Sequence, residues 1–139
     1  MSMTKSVRYI PSPSCEGDLI RALIEMPFGS NGLRRICLHP NTASPLHVML
    51  IEAKEPMEFP AHSHPCDELM IMISGEMTVS YLSEIEEKQI GLKAGSVLLI
   101  PANTVHLVKF SVPSTIFYEI KAGPFNESST IFAKVDEFN

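Results

Sequence analysis

Beyond Gly32 the chain alternates short apolar runs with turn-forming residues. The runs are rich in β-branched and aromatic side chains, and Pro, Gly, Asn and Ser separate them, as in strands joined by tight turns. The predicted strands span residues 33–39, 46–53, 57–64, 68–74, 76–82, 87–92, 96–100, 105–111 and 114–121. This succession of strands, without helices between them, predicts an all-β antiparallel sandwich or barrel.

A helical period precedes this region. Four apolar residues repeat at the spacing that places them on one face of a helix: Leu19, Ile20, Leu23 and Ile24. The pattern predicts one short amphipathic helix over residues 16–26, with Ser14 as its N-cap and Pro27 beyond its end.

One predicted strand is apolar at every position from Leu69 to Ile73. A strand with one face in water would alternate apolar and polar residues, so both faces of this strand must be covered. A second sheet or the N-terminal helix is the favoured cover for the outer face. The alternative, a second subunit, predicts a homodimer.

The length of 139 residues suits one domain, because two domains would each have too small a core. We expect an N-terminal extension at residues 1–32 whose helix packs on the barrel, a barrel at residues 33–125, and a C-terminal tail at residues 126–139.

Charge and cysteine content narrow the class of protein. The net charge is −5 and the 11 Lys and Arg residues are scattered, which argues against a nucleic-acid partner. The three cysteines have no CxxC spacing, and no apolar segment follows the early Lys and Arg residues. These features predict a cytoplasmic protein with reduced thiols, no signal peptide and no membrane anchor.

The first candidate site is the segment His62-Ser63-His64, followed by Glu68 and then Gly75. Residues i and i+2 of a strand point to the same face about 6.5–7 Å apart, so both imidazoles can converge on one ion. Glu68 begins the next predicted strand and can add a carboxylate beside them.

A second pattern supplies a third imidazole. After Gly95, the residues Pro101 and Asn103 predict a tight turn that leads into a strand at His106. Asn tolerates the left-handed backbone conformation that such turns often need. The turn is therefore expected to aim His106.

Three imidazoles and one carboxylate form a mixed nitrogen and oxygen ligand set. This set predicts one divalent first-row transition metal ion, Fe, Mn, Ni, Co, Cu or Zn, and does not choose among them. Four protein ligands leave open positions on a six-coordinate metal, as expected of a catalytic site. The alternative is that these are ordinary histidines of strands, which would require both patterns to coincide by chance.

The two patterns resemble the paired signature motifs of the cupin superfamily, G-x5-HxH-x3,4-E-x6-G and G-x5-PxG-x2-H-x3-N. The resemblance places His62, His64, Glu68 and His106 at the four ligand positions. It implies a double-stranded β-helix, or jelly-roll barrel, with the metal inside the barrel mouth and a habit of forming dimers.

A narrower resemblance, from Arg34 onward, is to the small WbuC-type cupin metalloproteins associated with bacterial surface-polysaccharide clusters. It rests on Arg34-Arg35-x2-Leu38-His39 and on the segment 117–125, Phe-Tyr-Glu-Ile-Lys-Ala-Gly-Pro-Phe. It implies a metal-binding cupin fold and a substrate related to sugars.

Five further residues are candidates for substrate chemistry. We expect Arg34, His39 and Lys121 to bind an anionic substrate group, and Glu119 and Tyr118 to be catalytic. The alternatives are a solvated strand edge for Arg34 and His39 and a surface ion pair for Glu119 and Lys121.

Two function classes follow from this reading. The first is an enzyme of the isomerase, epimerase or oxygenase type that acts on a small polar metabolite such as a sugar or organic acid. The second is a non-catalytic module or sensor that holds a metabolite at the same metal. A positioned acid or base near the metal would favour the enzyme.

Overall fold

The computed structural model describes residues 4–11, 13, 15–82, 86–126 and 129–133. It contains one helix, α1 (Leu19–Ile24), and eleven strands. The strands are β1 (Val7–Tyr9), β2 (Leu33–Cys37), β3 (Leu46–Ala53), β4 (Met57–Ser63), β5 (Glu68–Ser74), β6 (Glu76–Leu82), β7 (Glu87–Lys93), β8 (Val97–Ile100), β9 (His106–Phe110), β10 (Thr115–Ala122) and β11 (Ile131–Phe132).

The strands form two sheets. The six-stranded sheet has the order β1-β2-β3-β10-β5-β8, and the five-stranded sheet has the order β11-β4-β9-β6-β7. Every pairing is antiparallel except that of β1 with β2. The all-β prediction is confirmed, and each predicted strand is present within two residues at either end.

Two short strands and the start of the helix differ from the sequence prediction. Strands β1 and β11 were not predicted, because runs of three and two residues carry no measurable alternation. The helix begins at Leu19, where the side chain of Asp18 caps it by accepting a hydrogen bond from the backbone N–H of Arg21. The predicted N-cap, Ser14, lies outside the described residues.

The main core lies between the two sheets. It is built from alternate residues of facing strands and is rich in methionine, which fills irregular space well. Its buried members are Cys37, Met49, Ile51, Ala53, Met70, Met72, Met77, Val79, Leu92, Ile100, Val108, Phe110 and Phe117.

The outer face of the six-stranded sheet carries a second core beneath α1. Leu23 of the helix is fully buried against Ile36 and Leu50, and Ile73 packs at the margin of this cluster. The helix therefore covers part of the apolar run at residues 69–73, as the favoured alternative predicted. Farther along the same face, Val97 and Leu99 of the edge strand β8 remain 61% and 57% exposed.

Gly75 makes the hairpin between β5 and β6 possible. Its φ is +84°, and a Cβ at this position would lie 2.6 Å from the Cα of Thr115. The backbone conformation and the close approach both require glycine here.

No helix in the described part of the chain is long and apolar enough to cross a membrane.

Candidate metal centre

Two histidines of the predicted cluster lie opposite each other in the five-stranded sheet. His62 of β4 pairs directly with His106, the first residue of β9. The β4 register shifts between Phe59 and His62, and the proline at position 60 sits in this irregular stretch, where a missing N–H costs least. Two residues beyond His62, His64 follows the end of β4.

The fourth residue comes from the other sheet. Glu68 is the first residue of β5, on the face that also carries the core residues Met70 and Met72. Its Oε2 atom lies 3.1 Å from Nε2 of His64 and 3.7 Å from Nε2 of His106. The two sheets therefore meet at this cluster.

One ligand atom from each of His62, His64, Glu68 and His106 lies within 4.8 Å of every other. All four residues are buried. Metal–ligand bonds of about 2.0–2.2 Å place neighbouring ligand atoms roughly 3 Å apart, so the spacing of the cluster suits a single ion.

The turn before His106 is held against the segment that carries His64. Asn103 has a φ of 62°, as the sequence predicted, and its N–H donates to the carbonyl oxygen of His64 at 2.7 Å. The N–H of Ala102 donates to Oδ1 of Asp67 at 2.8 Å. The two halves of the cluster are thus tied together by the backbone.

Backbone carbonyls orient all three imidazoles. Nδ1 lies 2.7 Å from the oxygen of Pro60 in His62, 2.7 Å from that of Ser129 in His64, and 2.9 Å from that of Thr104 in His106. A carbonyl only accepts, so each Nδ1 must carry the proton. The Nε2 lone pairs are then free to bind a metal. Hydrogen bonds from Nδ1 to a carbonyl select this tautomer in metal-binding histidines.

The polar atoms at the centre of the cluster lack hydrogen-bond partners. Nε2 of His64, Nε2 of His106 and Oε2 of Glu68 are all buried and unpaired in the described part of the chain. Unpaired buried polar atoms are costly and rare. A metal ion at their centre would satisfy all three, so the residues present fit a metal.

Burial and mutual repulsion keep the imidazoles neutral. Burial, together with the neighbouring His106, lowers the pKa of His62 to about 4. The pKa values of His64 and His106 are also lowered, mainly by burial. Neutral imidazoles are the form that binds metal.

We expect the metal-free protein to lose stability as the pH falls from 6.5 toward about 4. All five histidines have lowered pKa values in the folded state, so the unfolded chain binds more protons in this range. Below the pKa of the folded state, each pH unit by which folding lowers a histidine pKa reduces the free energy of unfolding by about 1.4 kcal/mol. Urea denaturation of chelator-treated protein at neutral pH and in mild acid is the measurement.

Glu119 acts in the opposite direction in this experiment. Its pKa is raised to about 7 by burial and by the adjacent Glu68, so the folded state holds a proton that the unfolded state releases. This group favours the fold as the pH falls, but it is one carboxyl against five imidazoles. Stability that stayed constant or rose on acidification would contradict the predicted balance.

Glu119 also lies on the inner face of β10, in line with the core residues Met49 and Met70 of the flanking strands. Its carboxyl hydrogen-bonds to that of Glu68. Glu119, which the sequence predicts to be catalytic, therefore lies next to the cluster.

His39 and Lys121 lie on the same side of the sheet as the cluster. Lys121 pairs in register with both Glu68 and His47. The ring of His39 stacks on that of His47, with 4.0 Å between centroids. Lys121 thus neighbours the cluster, and His39 lies farther away, beyond His47.

Arg34 and Tyr118 lie elsewhere. Arg34 points to the outer face, where its guanidinium pairs with Glu52 and donates to the carbonyl oxygens of Ile24 and Met26. Tyr118 packs against the outer core beneath the helix. Strand alternation puts both side chains on the face opposite the cluster, away from the position that their predicted substrate and catalytic roles require.

The sequence reading missed two contributors to the site. His47 was not selected, because a lone histidine in an apolar strand has no motif around it. Ser129 was assigned to a tail, yet its carbonyl orients His64 and the following β11 pairs with β4 at His62. Every residue has a backbone carbonyl, so the residue type at position 129 gives no signal of this contact.

The chain was compared with known proteins. Residues 47–113, which contain all four cluster residues, match the cupin domain model. A search of curated proteins gave no match.

Solved structures share the fold at low sequence identity. Oxalate decarboxylase from Bacillus subtilis has a TM-score of 0.62 and 19% identity over 72% of this chain and 27% of its own. DMSP lyase DddQ from Ruegeria pomeroyi has a TM-score of 0.59 and 15% identity over 73% and 51%. KdgF from Halomonas sp. has a TM-score of 0.55 and 17% identity over 70% and 83%.

The chain spans about a quarter of the length of the first of these and half of the second. At these identities the likeness concerns the fold. Residues 47–113 thus match the cupin domain model, and the chain has the cupin jelly-roll fold.

Proposed function

We propose that His62, His64, Glu68 and His106 hold one divalent first-row transition metal, Fe, Mn, Ni, Co, Cu or Zn, at which a small polar metabolite binds. The observation that carries this proposal is the set of buried, unpaired ligand atoms, whose imidazoles are oriented by three carbonyls. Four protein ligands would close a tetrahedral site, but on a six-coordinate ion they leave positions for a substrate.

The enzyme reading is favoured by Glu119. When bound, the metal would supply a Lewis acid that polarises a carbonyl or hydroxyl of the substrate. Glu119 is placed on the inner face within hydrogen-bond reach of Glu68, where it can take a proton from, or return one to, a ligand at the open side of the cluster. A positioned acid or base of this kind suits an isomerase or epimerase acting on a sugar or organic acid. An oxygenase is the other reaction type that the ligand set supports.

The flanking segments support a narrower assignment. The pairs Arg34-Arg35 and Leu38-His39 and the stretch from Phe117 to Phe125 resemble those of the WbuC-type cupins. We infer from them a sugar-related substrate, in the setting of surface-polysaccharide synthesis, and from the unpatterned cysteines a cytoplasmic protein. The second candidate function is a metal-dependent binding or sensor module, favoured if Glu119 takes no part in turnover.

The test loads the chelator-treated protein with Co(II) and follows its visible spectrum, which reports on coordination. Addition of azide or glycolate should change the spectrum of wild type, because open positions accept exogenous ligands. An unchanged spectrum would mean a closed site and would end the proposal.

Catalysis is separated from binding by proton exchange. Sugars and hydroxy acids are incubated with metal-loaded protein in D2O, and deuterium incorporation is followed by NMR. Incorporation by wild type that is lost in Glu119→Gln, with metal content retained, supports the isomerase or epimerase. Binding without incorporation by either protein supports the sensor.

We also propose a homodimer formed through the exposed apolar residues of β8. Sedimentation equilibrium should give twice the monomer mass for wild type and the monomer mass for Val97→Glu and Leu99→Glu, since a buried charge opposes association. Ile131→Glu is the matched control, because Ile131 is 54% exposed on the other sheet. A monomeric wild type at micromolar concentrations would exclude a stable dimer.

A further inference from the structure

A row of polar side chains crosses the inner face of the six-stranded sheet. In register, His47 of β3 lies beside Lys121 of β10, and Lys121 lies beside Glu68 of β5. His39 extends the row by stacking on His47. The other inner rows of this sheet are mostly apolar. This row is therefore a line of polar side chains from the sheet margin to the cluster of predicted metal ligands.

Lys121 is a buried cation in this row without an ion-pair partner. Only 8% of the residue is exposed, and no carboxylate in the described ranges lies within 4.0 Å of its ammonium nitrogen. The nitrogen lies 5.3 Å from the centroid of the Phe125 ring. Lysine is seldom buried unless it is paired.

A second cation lies on the same inner face, in register with Ile51 of β3. Arg35 projects from the inner face of β2, and its charge acts on His39, His47 and Cys37. Its Nε atom is buried and has no hydrogen-bond partner among the described residues. Arg34 makes a buried ion pair with Glu52, whereas the guanidinium of Arg35 makes no ion pair with any described residue.

The ring of His39 offers a hydrogen-bond donor to this row and carries no negative charge. Nδ1 of His39 accepts the backbone N–H of Val48 at 3.1 Å, so the proton of the neutral ring is on Nε2. Burial and the adjacent cations lower the pKa of His39 to about 4, which keeps the ring neutral near pH 7. The two acids that flank Lys121, Glu68 on β5 and Glu119 on β10, lie beyond ion-pairing distance of its ammonium nitrogen.

We propose that Lys121 and Arg35, with His39 as an additional donor, form a subsite for an anionic oxygen group, a carboxylate or a phosphate, of the molecule that binds at the metal. Two cations and a neutral donor around one anion give charge-assisted hydrogen bonds. The geometry of the row would hold the anionic end of the ligand while its other end reaches the cluster. The contact of the ligand's other end with the cluster rests on the proposed metal function, but the anion subsite itself does not.

The experiment measures the binding of three matched probes by isothermal titration calorimetry: glycerate, glycerol phosphate and neutral glycerol. Chelator-treated protein and metal-loaded protein are titrated in parallel. We expect at least one anionic probe to bind the chelator-treated protein more tightly than glycerol does. The tighter of the two anions identifies the group as carboxylate or phosphate.

The variants Lys121→Met and Arg35→Met should each weaken this binding about tenfold or more, because each removes a charged hydrogen-bond donor. Lys109→Met is the matched control, since Lys109 is an exposed cation on β9. It should bind as wild type does. Circular dichroism confirms that each variant is folded.

The proposal is overturned if neither anion binds better than glycerol, or if Lys121→Met and Arg35→Met bind the anion as well as Lys109→Met does. Anion binding that depends on both residues in a protein that takes up no metal would leave the subsite standing and remove the metal function. The two claims therefore fail separately.

Discussion

Replacing His62 or His106 with Ala is expected to reduce metal content from stoichiometric to a small fraction. Replacing a residue that only hydrogen-bonds to a metal ligand typically costs 10–100-fold in metal affinity. Loss of a ligand itself should cost more. Glu68→Ala should act in the same direction, because its Oε2 lies close to two of the imidazoles. Elemental analysis after chelation and remetallation is the measurement.

His39→Ala is the matched control for this prediction. His39 is also a buried histidine, but it lies outside the cluster, so its loss should leave the metal content unchanged. The cluster variants should remain folded, because the core between the sheets does not depend on them. Stoichiometric metal in the folded His62→Ala and His106→Ala variants would refute the assignment of ligands.

Arg34→Leu should destabilise the fold by about 3–5 kcal/mol, the usual cost of breaking a buried ion pair from one side. Its Nε lies 2.7 Å from Oε1 of Glu52, and the side chains of the pair are 10% and 4% exposed. Among the described residues, the substitution leaves the buried Glu52 carboxylate with only the Ser114 hydroxyl as a partner. It also removes the donor to two carbonyls at the end of α1.

Two controls accompany this measurement by urea denaturation. Arg21→Leu breaks the exposed pair with Glu25 and should cost less than about 1 kcal/mol. The double variant Arg34→Leu with Glu52→Leu should recover part of the loss, because it leaves no unpaired charge. Metal content should stay unchanged in Arg34→Leu. An effect on metal or ligand binding without loss of stability would restore a site role for Arg34.

Two parts of the cluster could be predicted from sequence because their geometry is local. The same-face rule for His62 and His64, and the turn tolerance of Asn103, depend only on backbone conformation. The nine long strands could be predicted for a similar reason, since their lengths and turn residues are visible in the chain.

The faces of individual strands were harder to predict. Helix α1 covers the outer face of the six-stranded sheet, so apolar residues occur on both sides, as Ile36 and Cys37 do in β2. Alternation then no longer distinguishes inside from outside. Arg34 was predicted to bind substrate on the strength of the WbuC-like pattern, which does not say which face of β2 it occupies. Alternation in β10 did place Glu119 and Lys121 together, and it should have excluded Tyr118.

The carbonyl of Ser129 has a consequence for maturation. His62, His64, Glu68 and His106 all precede it in the chain, so they leave the ribosome before the group that sets the tautomer of His64. During synthesis the nascent chain therefore carries all four ligands before their geometry is complete. The arrangement that would hold a metal is therefore complete only after residue 129 has been added and β11 has joined β4.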